Sequence, residues 1–280
     1  MAWFPQSHWK PTKLLRVAGS ANTSTGVTEV LTDAGRAYIK PIGNRQGPHV
    51  LATDWVGTHL AHWFGLSTFE IALLELTDDD AFEMPGGSVA GPGPAFAARA
   101  VEGEPWGRSK KQLDALVNPE DISRLVVFDT WTLNSDRHHP DSSVRKPNYD
   151  NVFLSSHGLK PSQRRLIAMD HGLCFINSGK DLTARLGDID NVKSDKLFGL
   201  FPEFPCRLNS GIIKQSVSRL REISAELARE VVDSVPIQWE VSREARNAWS
   251  ELIYRRAGFV ADHVSVWIDK AAPRLGAGGD

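Results

Sequence analysis

The sequence predicts an α+β fold in two lobes, a β-rich part over residues 1–100 and a mainly helical part over residues 101–280. Three observations predict it. Short β-favouring runs joined by hairpin-type turns fill the first part, foremost residues 13–18, 27–31 and 36–42. A clear helix start, Asn118-Pro119-Glu120-Asp121, with Asn as N-cap, Pro at the first helical position and acids in the first turn, opens an apolar segment in mid-chain. From Ser210 onward, apolar residues recur at helical spacing over two long stretches. At 280 residues the chain can bury roughly three-quarters of its unfolded surface, as one large domain or two lobes.

Taken in order, residues 13–18 (KLLRVA) form the first strand, and residues 19–26 (GSANTSTG) a turn rich in small and hydroxyl side chains. Residues 27–31 and 36–42 are the next two strands, joined by Asp33-Ala34-Gly35, a hairpin-type signal. A small-residue loop between strands can set backbone N–H groups against phosphate oxygens, although most such loops are plain hairpins. The Gly-x4-Gly-Lys-Ser/Thr phosphate loop is absent from the chain. Lys40 ends the third strand, where by itself it reads as an exposed lysine. Gly47-Pro48 opens a helix that closes at Gly65, with Val50, Leu51, Trp55, Leu60 and Phe64 mainly on one face. Asp54, on that helix, reads equally as a solvated acid. Residues 69–76 (FEIALLEL) are a strand, and residues 77–94 a Gly/Pro/Asp-rich loop with no packing pattern, expected to be mobile. Residues 94–100 (PAFAARA) return to strand, and the boundary between the two parts falls near Val101.

The segment 122–133 is apolar on most faces, so its helix is expected to be buried and to deliver Asn134 and Asp136 at its C-terminal end. Asn134 and His138 read as loop-shaping residues, and His139 lacks the partners that a zinc site needs. Beyond Phe175, the Phe/Pro-rich run LFGLFPEFP suits packing against the helical part. Ile212, Ile213, Val217, Leu220, Ile223, Leu227 and Val231 keep a helical period until Pro236. A last helix begins at Ser242, with Ala245, Trp249, Leu252, Ile253, Val260, Val264 and Trp267 on its apolar stripe. These helices are expected to buttress the lower lobe.

Composition excludes several classes. A hydrophobic content of 41% and a charged content of 24% describe an ordinary globular protein. The formal charge of −2 gives no global attraction to nucleic acid or anionic membrane, so neither is expected as a partner. No stretch approaches the roughly 20 apolar residues of a membrane span. The first residues, MAWFPQSHWKPTK, carry no signal-peptide core. The two cysteines, Cys174 and Cys206, make no disulfide framework, so a cytoplasmic setting is expected with both thiols buried.

The chemistry concentrates between Phe128 and Phe175. An apolar run ends abruptly in Asn134, Asp136, Arg137, His138 and His139; Asn151 precedes Val152-Phe153-Leu154; Leu166-Ile167-Ala168-Met169 runs into Asp170, with Gly172 beyond. Carboxylates and amides at the ends of hydrophobic strands suit Mg²⁺, which prefers hard oxygen ligands and usually takes one or two carboxylates plus substrate phosphates. Phosphoryl transfer in kinases uses a loop Asp near the acceptor hydroxyl, an Asn on one metal ion and an Asp on the metal ions. Asp136, Asn151 and Asp170 occur in that order. Any one of them alone would more often cap or solvate a loop; three in order, each against an apolar run, point to a kinase-type site.

The segments N-x-D-R-H, N-V-F-L and M-D-H-G resemble the catalytic and metal-binding segments of HipA-like kinases. That family is a bacterial branch of the protein-kinase-like fold, akin to the phosphoinositide lipid kinases. The resemblance implies Asp136 as catalytic Asp, Asn151 and Asp170 as Mg²⁺ ligands, and Asp170-His171-Gly172 where many kinases have Asp-Phe-Gly. It runs from about Val17 to Asp170 and, more loosely, into the C-terminal helices. It further implies Ser20, Ala21, Asn22, Thr23, Ser24, Thr25 and Gly26 as the loop over ATP, with Thr23, Ser24 and Thr25 as candidates for autophosphorylation. Lys40 would grip the nucleotide phosphates. Where kinases pair that lysine with a helix Glu, this chain offers Asp54, one methylene shorter and needing a closer approach. Backbone groups around Phe96, Ala98 and Arg99 would meet adenine.

One departure stands out: Asp and Asn are normally five positions apart in the family, and Asn151 lies 15 beyond Asp136. Residues 140–149 read as a polar, basic surface insertion near the acceptor side, with Arg145 and Lys146. Asp141 stands at the five-residue spacing but no strand follows it, so Asn151 is preferred, ahead of Asp150. The function implied is transfer of the γ-phosphoryl of ATP, with Mg²⁺, to a hydroxyl, most simply Ser or Thr of a protein, in a toxin–antitoxin or stress setting with an antitoxin partner. The extra N-terminal domain of full-length HipA proteins is not expected, because the phosphate loop begins by about residue 19. The alternatives are a small-molecule or lipid-headgroup phosphotransferase and a nucleotide-binding pseudokinase.

Overall fold

The computed structural model describes residues 8–20, 27–84, 87–176 and 181–271. Its first layer is a five-stranded antiparallel sheet in the order β1-β2-β3-β5-β4, built from β1 (Leu14–Ser20), β2 (Thr28–Thr32), β3 (Gly35–Lys40), β4 (Ile71–Leu76) and β5 (Gly93–Arg99). Alternation drives it: on β2, Thr28, Val30 and Thr32 are buried while Glu29 and Leu31 are half-covered. Gly35, at φ 104°, supplies the left-handed residue that closes the β2–β3 turn. Trp9, Val30, Ala37, Ile39, Leu74, Leu76, Ala95 and Ala97 form this sheet's own core.

Helix α1 (Pro48–Phe64) connects β3 to β4 and packs on the larger core of the helical part. It is buried beyond the one face that its periodicity suggests: Thr53, Asp54, Gly57, Thr58 and His59 are also covered. The chain then builds a second, three-stranded antiparallel sheet, β6 (Gly103–Pro105), β7 (Val152–Ser155) and β8 (Arg165–Ala168). A bridge between Thr68 and Ala168 ties it to the chain entering β4. The remaining helices are α2 (Lys110–Asp114), α3 (Glu120–Thr132), α4 (Ile189–Val192), α5 (Ser210–Arg221), α6 (Ala225–Asp233) and α7 (Arg243–Ala271), giving seven among the described residues. The structure is therefore the mixed α/β architecture expected, an antiparallel β-rich N-terminal layer followed by a helical C-terminal part.

Several local expectations are corrected. The 69–76 strand begins at Ile71. Asn118 does not cap α3 with its side chain; its amide instead donates to the Leu166 carbonyl at 2.9 Å and accepts from the Leu166 N–H at 2.9 Å, fastening α3 to β8. The 210–236 helix is two helices, because the Ser224 hydroxyl accepts from the Leu227 N–H and starts α6 afresh. The 77–94 loop is organised where it is described: a capping box at Thr77–Asp80 and buried Met84 and Ala90 anchor it, and the Gly91 N–H donates to Ile42 at 2.9 Å. Cys174 is buried as expected, but Cys206 is exposed. Phe198, Phe201 and Phe204 are buried, as their Phe/Pro-rich run suggests.

Candidate active site

Lys40 ends β3 as an interior lysine, only 6% exposed. Its ammonium donates to Asp54 Oδ2 at 2.6 Å and to Asp170 Oδ1 at 3.0 Å, across 14 and 130 residues of sequence. The short aspartate arm suffices because α1 is pressed close: a Cβ on Gly57 would sit 2.4 Å from His171 Cβ. Gly172 is confined in the same way, its missing Cβ facing Val50, Asp170 Oδ1 and Asp54 Oδ2 at 3.1–3.4 Å. The other Asp54 oxygen accepts the His171 N–H at 2.7 Å, and the Thr53 hydroxyl donates to the Gly172 carbonyl at 2.6 Å. Helix α1 thus holds the segment 170–172 by hydrogen bonds and by close packing.

Asp170 itself lies at φ 56°, a left-handed conformation uncommon for a residue with a side chain and typical of functional sites. Burial opposes the charge on Lys40, yet the two carboxylates outweigh it and raise its pKa. Burial also raises Asp54, to about 6, with Asp170 adding to the rise and Lys40 opposing it. Asp170 faces the same burial, but Lys40 and the Gly172 N–H hold its carboxyl below the ordinary value. Of the two acids sharing one lysine, Asp170 is the better anion. Burial keeps His171 neutral, far below the usual imidazole range.

A second polar group lies alongside. The Asn151 amide donates to Asp136 Oδ2 at 2.7 Å, although 15 residues separate them, and Asn148 donates to Asn151 Oδ1 at 3.1 Å. Arg145, from the basic insertion, pairs with Asp136 Oδ1. The expected loop-shaping role of Asn134 is visible: its Oδ1 accepts the Asp136 N–H at 3.2 Å. His138 packs its ring on Phe201, and His139 holds the Asp141 N–H at 3.0 Å, so both are structural.

The residue that joins the two groups went unassigned in the sequence. Arg137, fully buried, pairs with Asp129 of α3, donates to the Asn151 carbonyl at 3.1 Å and to the Met169 carbonyl at 2.8 Å. One guanidinium thereby fixes the backbone of all three segments that carry Asp136, Asn151 and Asp170. Two signals mark it: an acid at 129 inside a helix apolar on nearly all faces, and an arginine beside the candidate catalytic acid.

The first group and Asn151 of the second open onto one cavity of about 560 Å³. Tyr38, Phe69, Ile71, Phe96, Ala98 and Phe153 make its apolar walls, and Lys40, Asp54, Asn151 and Asp170 line it as well. Asp136 is 15% exposed and is not part of this lining; it lies one hydrogen bond behind Asn151. The expectation for residues 96–99 is corrected. β5 is an interior strand, paired on both sides by β3 and β4, so its peptide groups belong to the sheet. Phe96 and Ala98 contribute side chains instead, while Arg99 is directed to Glu70 at 2.5 Å, away from the lining. Ser20 ends β1 opposite Thr28. Ala21, Asn22, Thr23, Ser24, Thr25 and Gly26, including the autophosphorylation candidates, lie outside the described residues.

A family profile described as HipA-like kinase matches residues 24–257 of this chain. The chain belongs to the HipA-like kinase family. The fold agrees with that membership. The crystal structure of a Helicobacter pylori proinflammatory kinase, CtkA, superposes with a TM-score of 0.54 over 88% of this chain and 94% of that one, at 13% identity. At that identity the likeness shows shared fold alone. No curated protein matches the chain. Among the described residues no helix is long and apolar enough to cross a membrane. For a HipA-like kinase, the family supports phosphotransferase activity and the use of a nucleotide.

Proposed function

We propose that the chain transfers the γ-phosphoryl group of ATP, with Mg²⁺, to a hydroxyl, and that the acceptor is a serine or threonine of a protein. The observation that carries this reading is that Lys40, Asp54, Asp170 and Asn151 line one cavity, with Asp136 hydrogen-bonded to Asn151.

The residues fit the groups that the reaction requires. A flat purine suits the apolar walls of Phe69, Ile71, Phe96 and Phe153, and the buried ammonium of Lys40 suits a phosphate oxygen. Asp170 and Asn151 offer hard oxygens, the donor type that Mg²⁺ takes alongside phosphates. Among the described residues no three His, Cys, Asp or Glu side chains come together as a metal cage, so the cation would rely on this pair and on substrate oxygens. Mg²⁺ bound there would neutralise charge developing on the phosphoryl oxygens. Lys40 holds the phosphates and is itself held by Asp54. Asp136 orients the acceptor hydroxyl and takes its proton. Arg137 acts through the backbone, keeping these groups in register.

Calorimetry with Mg²⁺ and ATP tests the reading. Wild type binds, and Lys40→Met weakens binding at least tenfold with the fold retained by circular dichroism. A wild-type protein that binds no nucleotide would overturn it.

A further inference from the structure

Resting on that reading, the insertion at 140–149 has a use of its own. It is an anchored element rather than a loose loop. At its start, the His139 ring packs on Phe198, and Asp141 accepts the N–H groups of Val144 and Arg145 at 3.1 and 3.3 Å, closing a turn. At its end, the Asn148 N–H donates to the Arg137 carbonyl at 2.9 Å, and Tyr149 packs on Phe201 and Trp106 at 4.8 and 5.2 Å. Arg108 covers the Tyr149 ring at 4.0 Å. Between these anchors the exposed side chain of Arg145 turns inward onto Asp136 Oδ1, while Asn151 already occupies Oδ2. Both oxygens of the carboxylate assigned to the acceptor are therefore engaged, one of them by a cation that the acceptor must move aside.

We propose that Arg145 determines which acceptors reach Asp136: it caps the carboxylate against neutral hydroxyls, and an anionic group beside the acceptor hydroxyl, a carboxylate or a phosphate, draws the guanidinium off. In the paired state the carboxylate is only 15% exposed, so an acceptor that supplies a replacement anion to the guanidinium is favoured over one that leaves the cation to water. Lys146, exposed next to it, adds to the same field. Arg145 is 41% exposed, which limits the effect to roughly two- to fivefold, the range of a solvent-accessible ion pair.

Two measurements test the cap separately from the kinase reading. Hydrogen exchange at the Arg145 and Asn148 amides reports the cap without nucleotide. Arg145→Gln and Asp136→Asn should both speed exchange there by roughly two- to fivefold. Unchanged exchange in both variants would overturn the cap, whatever the activity. Phosphate transfer to serine peptides flanked by aspartate, phosphoserine or alanine then reports selection. Wild type should favour the anionic peptides, and Arg145→Gln should raise transfer to the alanine peptide and shrink the preference. A uniform loss of transfer in Arg145→Gln would make Arg145 an assisting group and refute the proposal. No labelling of any peptide despite nucleotide binding would refute anionic selection and the protein acceptor together, with the exchange result still judging the cap.

Discussion

Replacing Gly57 by alanine tests the claim that α1 and the segment 170–172 are in direct backbone-close contact. In an open helix position this substitution helps, because alanine exceeds glycine in helix propensity by about 1 kcal/mol. Gly258 in α7 is such a position, where an added Cβ would meet nothing within 4 Å. At Gly57 the added methyl would lie 2.4 Å from His171 Cβ and 3.1 Å from its Cγ. The atoms met are the root of a fully buried side chain, so backbone must move. Overpacking of this kind costs about 1–3 kcal/mol. Set against the propensity gain, Gly57→Ala comes out destabilising by about 0–2 kcal/mol, and Gly258→Ala stabilising by about 0.5–1 kcal/mol. Thermal melts resolve both, since each kcal/mol moves Tm by roughly 2–4 °C in a protein of this size. Because the movement displaces Asp170, nucleotide affinity should fall in Gly57→Ala and hold in Gly258→Ala. A Gly57→Ala protein stabilised as much as the Gly258→Ala control would refute the packing of α1 against His171.

Removing the lysine from the buried triad in Lys40→Met leaves two carboxylates facing each other and should cost about 3–5 kcal/mol. Both acids then have folded pKa values above their unfolded ones, so urea melts should show the deficit growing as pH rises from 5 to 8, and Lys40→Met/Asp54→Asn should recover part of it. Burial, with the His62 charge adding to it, lowers His59 to about 3. Its contribution is fully present above the unfolded value near 6.5 and is lost as pH falls toward 3, about 2 kcal/mol by pH 5; the stability profile of His59→Phe should be flatter by that amount. Arg256 is buried and donates to the carbonyls of Thr130, Trp131, Asn191, Val192 and Ser194, which ties α7 to the C-terminal end of α3. Arg256→Met should destabilise by about 3 kcal/mol, read from chemical denaturation, with little change in the exchange of β1 and β2 amides.

The parts of the fold legible in the sequence were those where periodicity and punctuation agree. Gly47-Pro48 and Gly65 bracket α1, the Asp33-Ala34-Gly35 turn joins β2 to β3, and the stripe from Ala245 to Val264 marks α7. The break between α5 and α6 stayed hidden because the apolar period runs through it, and only the Ser224 cap restarts the helix. Asn118 shows the converse: a cap-like sequence whose side chain finds better partners 48 residues away on β8. In the candidate site, Asp136, Asn151 and Asp170 stood out as polar residues at the ends of apolar runs. The Lys40–Asp54 pair followed only from the family resemblance, since by residue type alone a strand lysine and a helix acid look the same whether solvated or paired. Arg137 escaped because its work is on the carbonyls of Asn151 and Met169, and backbone partners leave no trace in side-chain spacing.

Transfer of γ-labelled phosphate from ATP tests most directly whether these groups form a phosphoryl-transfer centre. Wild type with Mg²⁺ should label itself or a hydroxyl acceptor, with the product identified by mass spectrometry, and Asp170→Ala and Asp136→Ala should abolish the label while remaining folded. Transfer that persists in both variants would contradict the assignment of the site.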